Sequence, residues 1–145
     1  MKKTLLIVLC LLTLLALGSC KKEQNNMQTT NKNTVTFTSS VTDADVWILP
    51  DTKENKKTTV WGKATISKLK TGESRQAPLC EAGDDGLYIL RMIDTDSFYY
   101  SADGIALKSG WTITVKEDDS HRVTADVTDE NGVLKKSYEV FSARL

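Results

Sequence analysis

The sequence is poor in the residues that most often announce chemistry: one histidine, two prolines and three cysteines in 145 residues. It has no Gly-x-Ser-x-Gly elbow, His-Glu-x-x-His helix, Cys-x-x-Cys pair or glycine-rich phosphate loop, so no motif speaks for hydrolase, zinc, redox or nucleotide chemistry. It also lacks a basic face. Formal net charge is zero, and Lys56-Lys57 and Lys135-Lys136 are isolated pairs of the kind found on solvated turns, so nothing argues for nucleic acid. A long apolar run is missing too. The longest, Leu5 to Leu17, has 13 residues broken by Thr13, where a membrane span takes about 20. Nowhere does an apolar stripe with a 3.6-residue period persist for three turns; Ile66 to Leu69 comes nearest and is one turn long.

The short apolar run is nevertheless informative. Lys2 and Lys3 precede it, and Gly18-Ser19 close it with two small residues, the basic-greasy-small order of a secretory signal. The closing stretch Leu17-Gly18-Ser19-Cys20 resembles the lipobox of bacterial lipoproteins. That resemblance implies removal of residues 1–19 and a diacylglyceryl thioether on Cys20, which becomes the first residue of the mature chain. Fatty acyl chains such as palmitate, at about 0.8 kcal/mol per buried methylene, make a two- or three-chain anchor effectively permanent. Lys21 follows the cysteine. In the enteric lipoproteins that this pattern resembles, a residue other than aspartate there implies the outer membrane.

Cysteine arithmetic follows. Cys10 leaves with the signal and Cys20 is consumed by lipid, which strands Cys80 without a disulfide partner, so packing must hold the domain together. Cys80, after Ala77-Pro78-Leu79, reads as a small buried hydrophobe at a strand end; an intermolecular bridge is the rival, and a nucleophile is disfavoured because His121 lies far along the chain. Lys2 and Lys3 are two of 19 basic residues, so the mature chain sets 17 against 19 acidic and carries −2. Residues 20–33, the anchor cysteine and a polar, amide-rich run to Asn33, read as a disordered tether. Its reach is roughly 20 Å as a coil and about 45 Å when stretched.

Residues 34–145 read as strand after strand. Thr34 to Thr38 alternates; Asp45 to Leu49 follows and meets Pro50; Gly86 to Ile93 is nearly continuous, as for a central strand covered on both faces. Asp94-Thr95-Asp96 turns that strand into Ser97 to Tyr100. Trp111 to Lys116 alternates with Trp111, Ile113 and Val115 inward. The last third reads as one long hairpin, His121 to Thr128 and Val133 to Phe141, with Asn131-Gly132 supplying positive φ angles in the turn. Val123, Ala125 and Val127 are expected to face the core against Leu134, Tyr138 and Val140. Seven to eight mainly antiparallel strands, spaced about ten residues apart, predict an all-β two-sheet sandwich, with a small barrel as the alternative.

Trp61-Gly62, Gly72-Glu73-Ser74, the strand Tyr88-x-x-Arg91-x-x-Asp94 and the glycine-led stretch from Gly104 to Val115 together resemble small secreted bacterial β-sandwich domains. The resemblance covers about Thr34 to Glu117 and leaves the final hairpin as an addition. Ile89 stands where an aspartate often follows the tyrosine. The implication concerns fold and brings no chemistry.

Three sets of side chains remain as candidates. Asp84, Asp85, Asp94, Asp96, Asp118 and Asp119 lie in loops, and loop carboxylates at one end of a sandwich can cage Ca²⁺, although such residues are also the ordinary means of turning a chain. His121, after Glu117-Asp118-Asp119-Ser120, could be a base held by a carboxylate, but a turn histidine is the simpler reading. Trp61, beside Gly62 in a polar loop, is the tryptophan expected to be partly exposed as a contact for a protein or a sugar ring, while Trp47 and Trp111 are expected to pack. The resulting expectation is a lipid-anchored module of the bacterial cell envelope that binds rather than catalyses. Its expected partners are the membrane lipid through Cys20 and an envelope protein or glycan, with no cofactor. A calcium-stabilised adhesive sandwich comes next, and a hydrolase last.

Overall fold

The computed structural model describes residues 33–145; the signal segment, Cys20 and all of the tether but Asn33 lie outside the described residues. The chain folds as a two-sheet all-β sandwich. Its strands are β1 (Thr34–Ser39), β2 (Ala44–Pro50), β3 (Ile66–Leu69), β4 (Ser74–Pro78), β5 (Leu87–Asp94), β6 (Phe98–Ala106), β7 (Thr112–Glu117), β8 (Val123–Thr128), β9 (Leu134–Glu139) and β10 (Phe141–Arg144). The first sheet runs β4-β1-β7-β8-β9 and the second β10-β6-β5-β2-β3. Among the described residues only the β1–β7 pair is parallel.

Ten strands exceed the seven to eight expected because three short edge strands carry little pattern. β3 is the segment nearest to a helical stripe, and β4 (Ser-Arg-Gln-Ala-Pro) buries only Ala77. β10 arises because the expected long hairpin is broken: β9 belongs to the first sheet, and after Val140 the chain crosses to pair with β6 in the second. A bulge where β9 meets the end of β8 also turns Leu134 out, so it is exposed rather than opposed to Val127. In that hairpin turn only Gly132 of the Asn-Gly pair takes positive φ, at 76°. Asp129 does the rest, its carboxylate accepting from the Asn131 and Val133 amides.

Alternation explains the first sheet. Val35 and Phe37 of β1, Ile113 and Val115 of β7 and Ala125 and Val127 of β8 point inward, almost completely shielded from solvent. Trp111 and Val123 are half-buried against the margin of this core. From the second sheet Val46, Ile48, Leu90, Met92, Tyr100, Ala102 and Ile105 meet them. Each Val, Ile, Leu, Phe or Met among them contributes about 1.5–3 kcal/mol relative to exposure.

The strand directions define two ends. β1 enters at one end, together with the segments 51–65, 79–86, 107–111 and 129–133; the loops 40–43, 70–73, 95–97 and 118–122 share the far end.

Candidate aromatic site on the outer face of the second sheet

β5 is central in its sheet and buried on both faces: Leu90 and Met92 point into the core, while Ile89 and Arg91 are buried on the opposite side. Cover for that outer face is a chain excursion of residues 51–65. It begins at buried Asp51, whose carboxylate accepts from the Gly104 amide at 2.9 Å and pairs with Lys56 at 2.7 Å. Gly83 packs so closely there that a Cβ on it would lie 2.3 Å from the Asp51 backbone. The helix α1 (Lys53–Lys57) follows, capped by Thr52, with Glu54 in its first turn and Lys56 and Lys57 in its last, each sign placed where the helix dipole favours it. The excursion returns along β2, where Thr65 Oγ1 accepts from the Ile48 amide at 3.0 Å.

Trp61 sits in the middle of this excursion. Its ring stacks on Tyr99 of β6, centroids 5.7 Å apart and planes 14° from parallel, and meets Trp47 of β2 at 5.5 Å in a tilted arrangement. The indole N–H of Trp61 donates to the Thr58 carbonyl at 3.0 Å, and that of Trp47 donates to the Gly62 carbonyl at 3.2 Å, so each polar edge is satisfied by the loop itself. All three rings are half-buried, and Val60 beside them is largely exposed. Below them in the same face, Arg91 is nearly inaccessible and holds the more exposed Asp103 carboxylate at 2.6 Å while also donating to the Leu90 carbonyl. Trp47 thus packs on the outer face rather than in the core. Tyr99, the ring that completes the stack, was not singled out by the sequence; only strand parity together with the β5–β6 register places it there.

The motif residues Tyr88, Arg91 and Asp94 prove to be structural anchors. Tyr88 donates its hydroxyl to the Cys80 carbonyl at 2.9 Å, Arg91 binds Asp103, and Asp94 receives the Asp96 and Phe98 amides across the β5–β6 turn.

The calcium candidates are divided. Asp84 and Asp85 form a short turn at the entry end, where the Asp84 amide donates to the Asp51 carbonyl, whereas Asp94, Asp96, Asp118 and Asp119 lie at the far end. Asp94 also accepts from Thr42 and Tyr100, and Asp118 from the Ser120 and Arg122 amides and the Arg122 guanidinium. Among the described residues no three of His, Cys, Asp and Glu converge as a ligand set. Hydrogen bonding to the Arg122 and Ser120 amides and to the Arg122 side chain holds the Asp118 carboxyl below the ordinary range, against a burial that opposes it.

His121 stands at positive φ in the exposed β7–β8 turn, its Nδ1 2.5 Å from Glu117 Oε1. Cys80 does not meet it: the thiol is at the entry end and the imidazole at the far end of the first sheet. Cys80 is exposed, contrary to the buried hydrophobe expected. Ala77 and Leu79 take the inward positions, and strand parity turns the next residue out. Its Sγ nonetheless rests 4.0 Å from the Ile48 carbonyl, and the partial desolvation there pushes the thiol pKa up, away from thiolate.

No protein-family model, curated protein or solved structure matches this chain. What can be said of its activity therefore rests on its own residues.

Proposed function

We propose that this chain is a lipid-anchored module of the bacterial cell envelope, held through Cys20 to the outer membrane, that binds an envelope protein and carries no catalytic centre. The lipobox-like stretch and the polar tether support the anchor. One observation carries the binding surface: Trp61, on an excursion rather than a strand, is stacked on Tyr99 and tilted against Trp47 at the surface of the sandwich. Half-buried aromatic rings fixed by hydrogen bonds lose little freedom on binding and are the side chains that dominate interfaces. A protein fits better than a sugar. Tyr99 stacks on the Trp61 ring and Trp47 meets it at a 60° tilt, so aromatic rings already crowd the indole, and the apolar Val60 beside it suits a protein side chain better than a hydroxyl-rich sugar.

Two measurements test the two halves of this reading. Mass spectrometry of the natural product is expected to find the mature chain starting at Cys20 with a diacylglyceryl thioether; a bare thiol or an amino terminus elsewhere contradicts the anchor. Crosslinking in intact cells is expected to capture one envelope protein with the native chain and to lose it with Trp61→Ala. A folded Trp61→Ala chain that keeps the same partner removes the aromatic site. Capture replaced by retention on a peptidoglycan or lipopolysaccharide column would transfer the site to a glycan.

A further inference from the structure

We propose that a second copy of this chain pairs along β10, joining the two β10-bearing sheets into one across a two-fold axis. The sandwich has four open strand edges, and three are blunted in the ways that edges normally are. β3 is interrupted by Lys68 at φ 54° and flanked by Lys70, β4 ends in Pro78, and β9 carries Lys135 and Lys136. β10, Phe141-Ser142-Ala143-Arg144, has no proline, lysine or left-handed residue; its single charge, Arg144, stands at its last position, and it presents Phe141 at 64% exposure.

The backbone fixes which groups are free. The Leu145 amide donates inward to the Ser97 carbonyl, so the odd residues of this strand address β6 and the even ones, Ser142 and Arg144, point their N–H and C=O groups away from the sheet. Side chains follow the opposite logic. Phe141 and Ala143, opposite Ser101 and Tyr99, share the outer face with the aromatic stack, and period two puts Leu145, 72% exposed, on that face too.

An antiparallel partner must therefore set even residues against even residues. Only the register centred on Ala143 also sets Phe141 of each copy against Leu145 of the other, with the Ser142–Arg144 pairs exchanging backbone hydrogen bonds and the two Ala143 residues facing each other as a close non-bonded pair. Registers shifted by one residue in either direction leave Phe141 or Leu145 without its counterpart. The strand thus complements itself. Four residues make a small interface, and chains anchored in one membrane supply the high local concentration that such an interface needs.

The two-fold predicts a specific crosslink. Facing residues of a close pair have Cα atoms about 4.5 Å apart, inside the ~4.4–6.8 Å range that a disulfide requires. The test uses the full-length chain in the membranes of the cells that express it, carrying Cys80→Ser, with Ala143→Cys added and a mild oxidant, and reads dimer on a non-reducing gel. The expected result is at least tenfold more dimer than in the Cys80→Ser parent, which shares Cys10 and Cys20, and than in Ser142→Cys, whose thiols are offset across the axis. Ser142→Pro in the Ala143→Cys chain removes an outward amide and is expected to abolish the crosslink with melting unchanged. Equal dimer from Ala143→Cys, Ser142→Cys and the parent overturns the proposal, as does crosslinking that survives the proline in a folded chain.

Discussion

The two sheets present opposite outer surfaces. Over the first sheet the outward positions are Thr36 and Thr38 of β1, Thr112 and Thr114 of β7 and Thr124 and Asp126 of β8, tied laterally by the Lys116–Asp126 ion pair and by the Ser137 hydroxyl donating to Asp126. That face is solvated. Over the second sheet the corresponding positions are Trp47, Ile89, Arg91 and Tyr99, and the excursion 51–65 folds back onto them. The same alternation builds both, yet one face ends in hydroxyls and the other in rings. A sheet of β-branched polar residues needs nothing above it; a sheet carrying tryptophan, isoleucine and a buried guanidinium needs a cover, and the cover is where a binding surface can be built.

That contrast can be broken most directly at matched positions. Ile89→Ala opens a cavity on the outer face of the second sheet and is expected to cost about 2–4 kcal/mol, whereas Thr114→Ala on the first sheet stays within about 0.5 kcal/mol of the native chain. Denaturant melts of the two variants decide it, and equal losses would mean that both outer faces are solvated alike. Next in size is Trp61→Ala, expected to cost about 2 kcal/mol, roughly half of the loss for a fully buried tryptophan. It should also free the excursion, read as faster hydrogen exchange over residues 51–65 with β7 and β8 unchanged. Trp61→Phe, which keeps a stacking ring, should lose less than half as much.

Acid gives a smaller and more selective effect, this time on the first sheet and the far-end loops. Lys70, with the Thr71 amide and hydroxyl, holds the half-buried Asp43 carboxyl down at about 2. Burial works against ionisation of Asp126, but Lys116 and Ser137 outweigh it and its pKa is also lowered, as is that of Asp129 beside Lys135. A carboxyl depressed in the folded state binds its proton more readily once unfolded. The stability it contributes is therefore present well above the ordinary carboxyl pKa and is lost as the pH falls through the folded-state value, which for Asp43 is about 2. Hydrogen exchange at pH 2.5 against pH 5 should show added opening in β7 to β9 and the Asp43 loop ahead of β5; uniform opening of both sheets would contradict that localisation.

The residues show why part of this was legible in the sequence. β1, β7 and β8 declare themselves because one face is core and the other water, and β5 declares itself because both faces are covered. Edge strands bury too little to leave a pattern: β9 buries only Tyr138, and β4 only Ala77. The crossing at Val140 is invisible for a related reason, since period two marks which side of a strand faces inward and not which sheet the strand joins. Cys80 was misplaced by a single step of parity. At the site, Trp61 could be singled out from its glycine neighbour and polar flanks. Tyr99 could not, because its meeting with the Trp47–Trp61 pair depends on two registers together, β5–β6 and the β2–β5 pairing of strands far apart in the chain.

The central claim is that contact with a partner occurs over the ring-bearing sheet and not over the threonine-bearing one. A photo-crosslinking residue placed at Val60 and, separately, at Thr114, each in the anchored chain in living cells, tests it. The account predicts a discrete protein adduct from position 60 that disappears with Trp61→Ala, and none of that mass from position 114. The same adduct from both faces, or one from position 60 that persists without the indole, would contradict it.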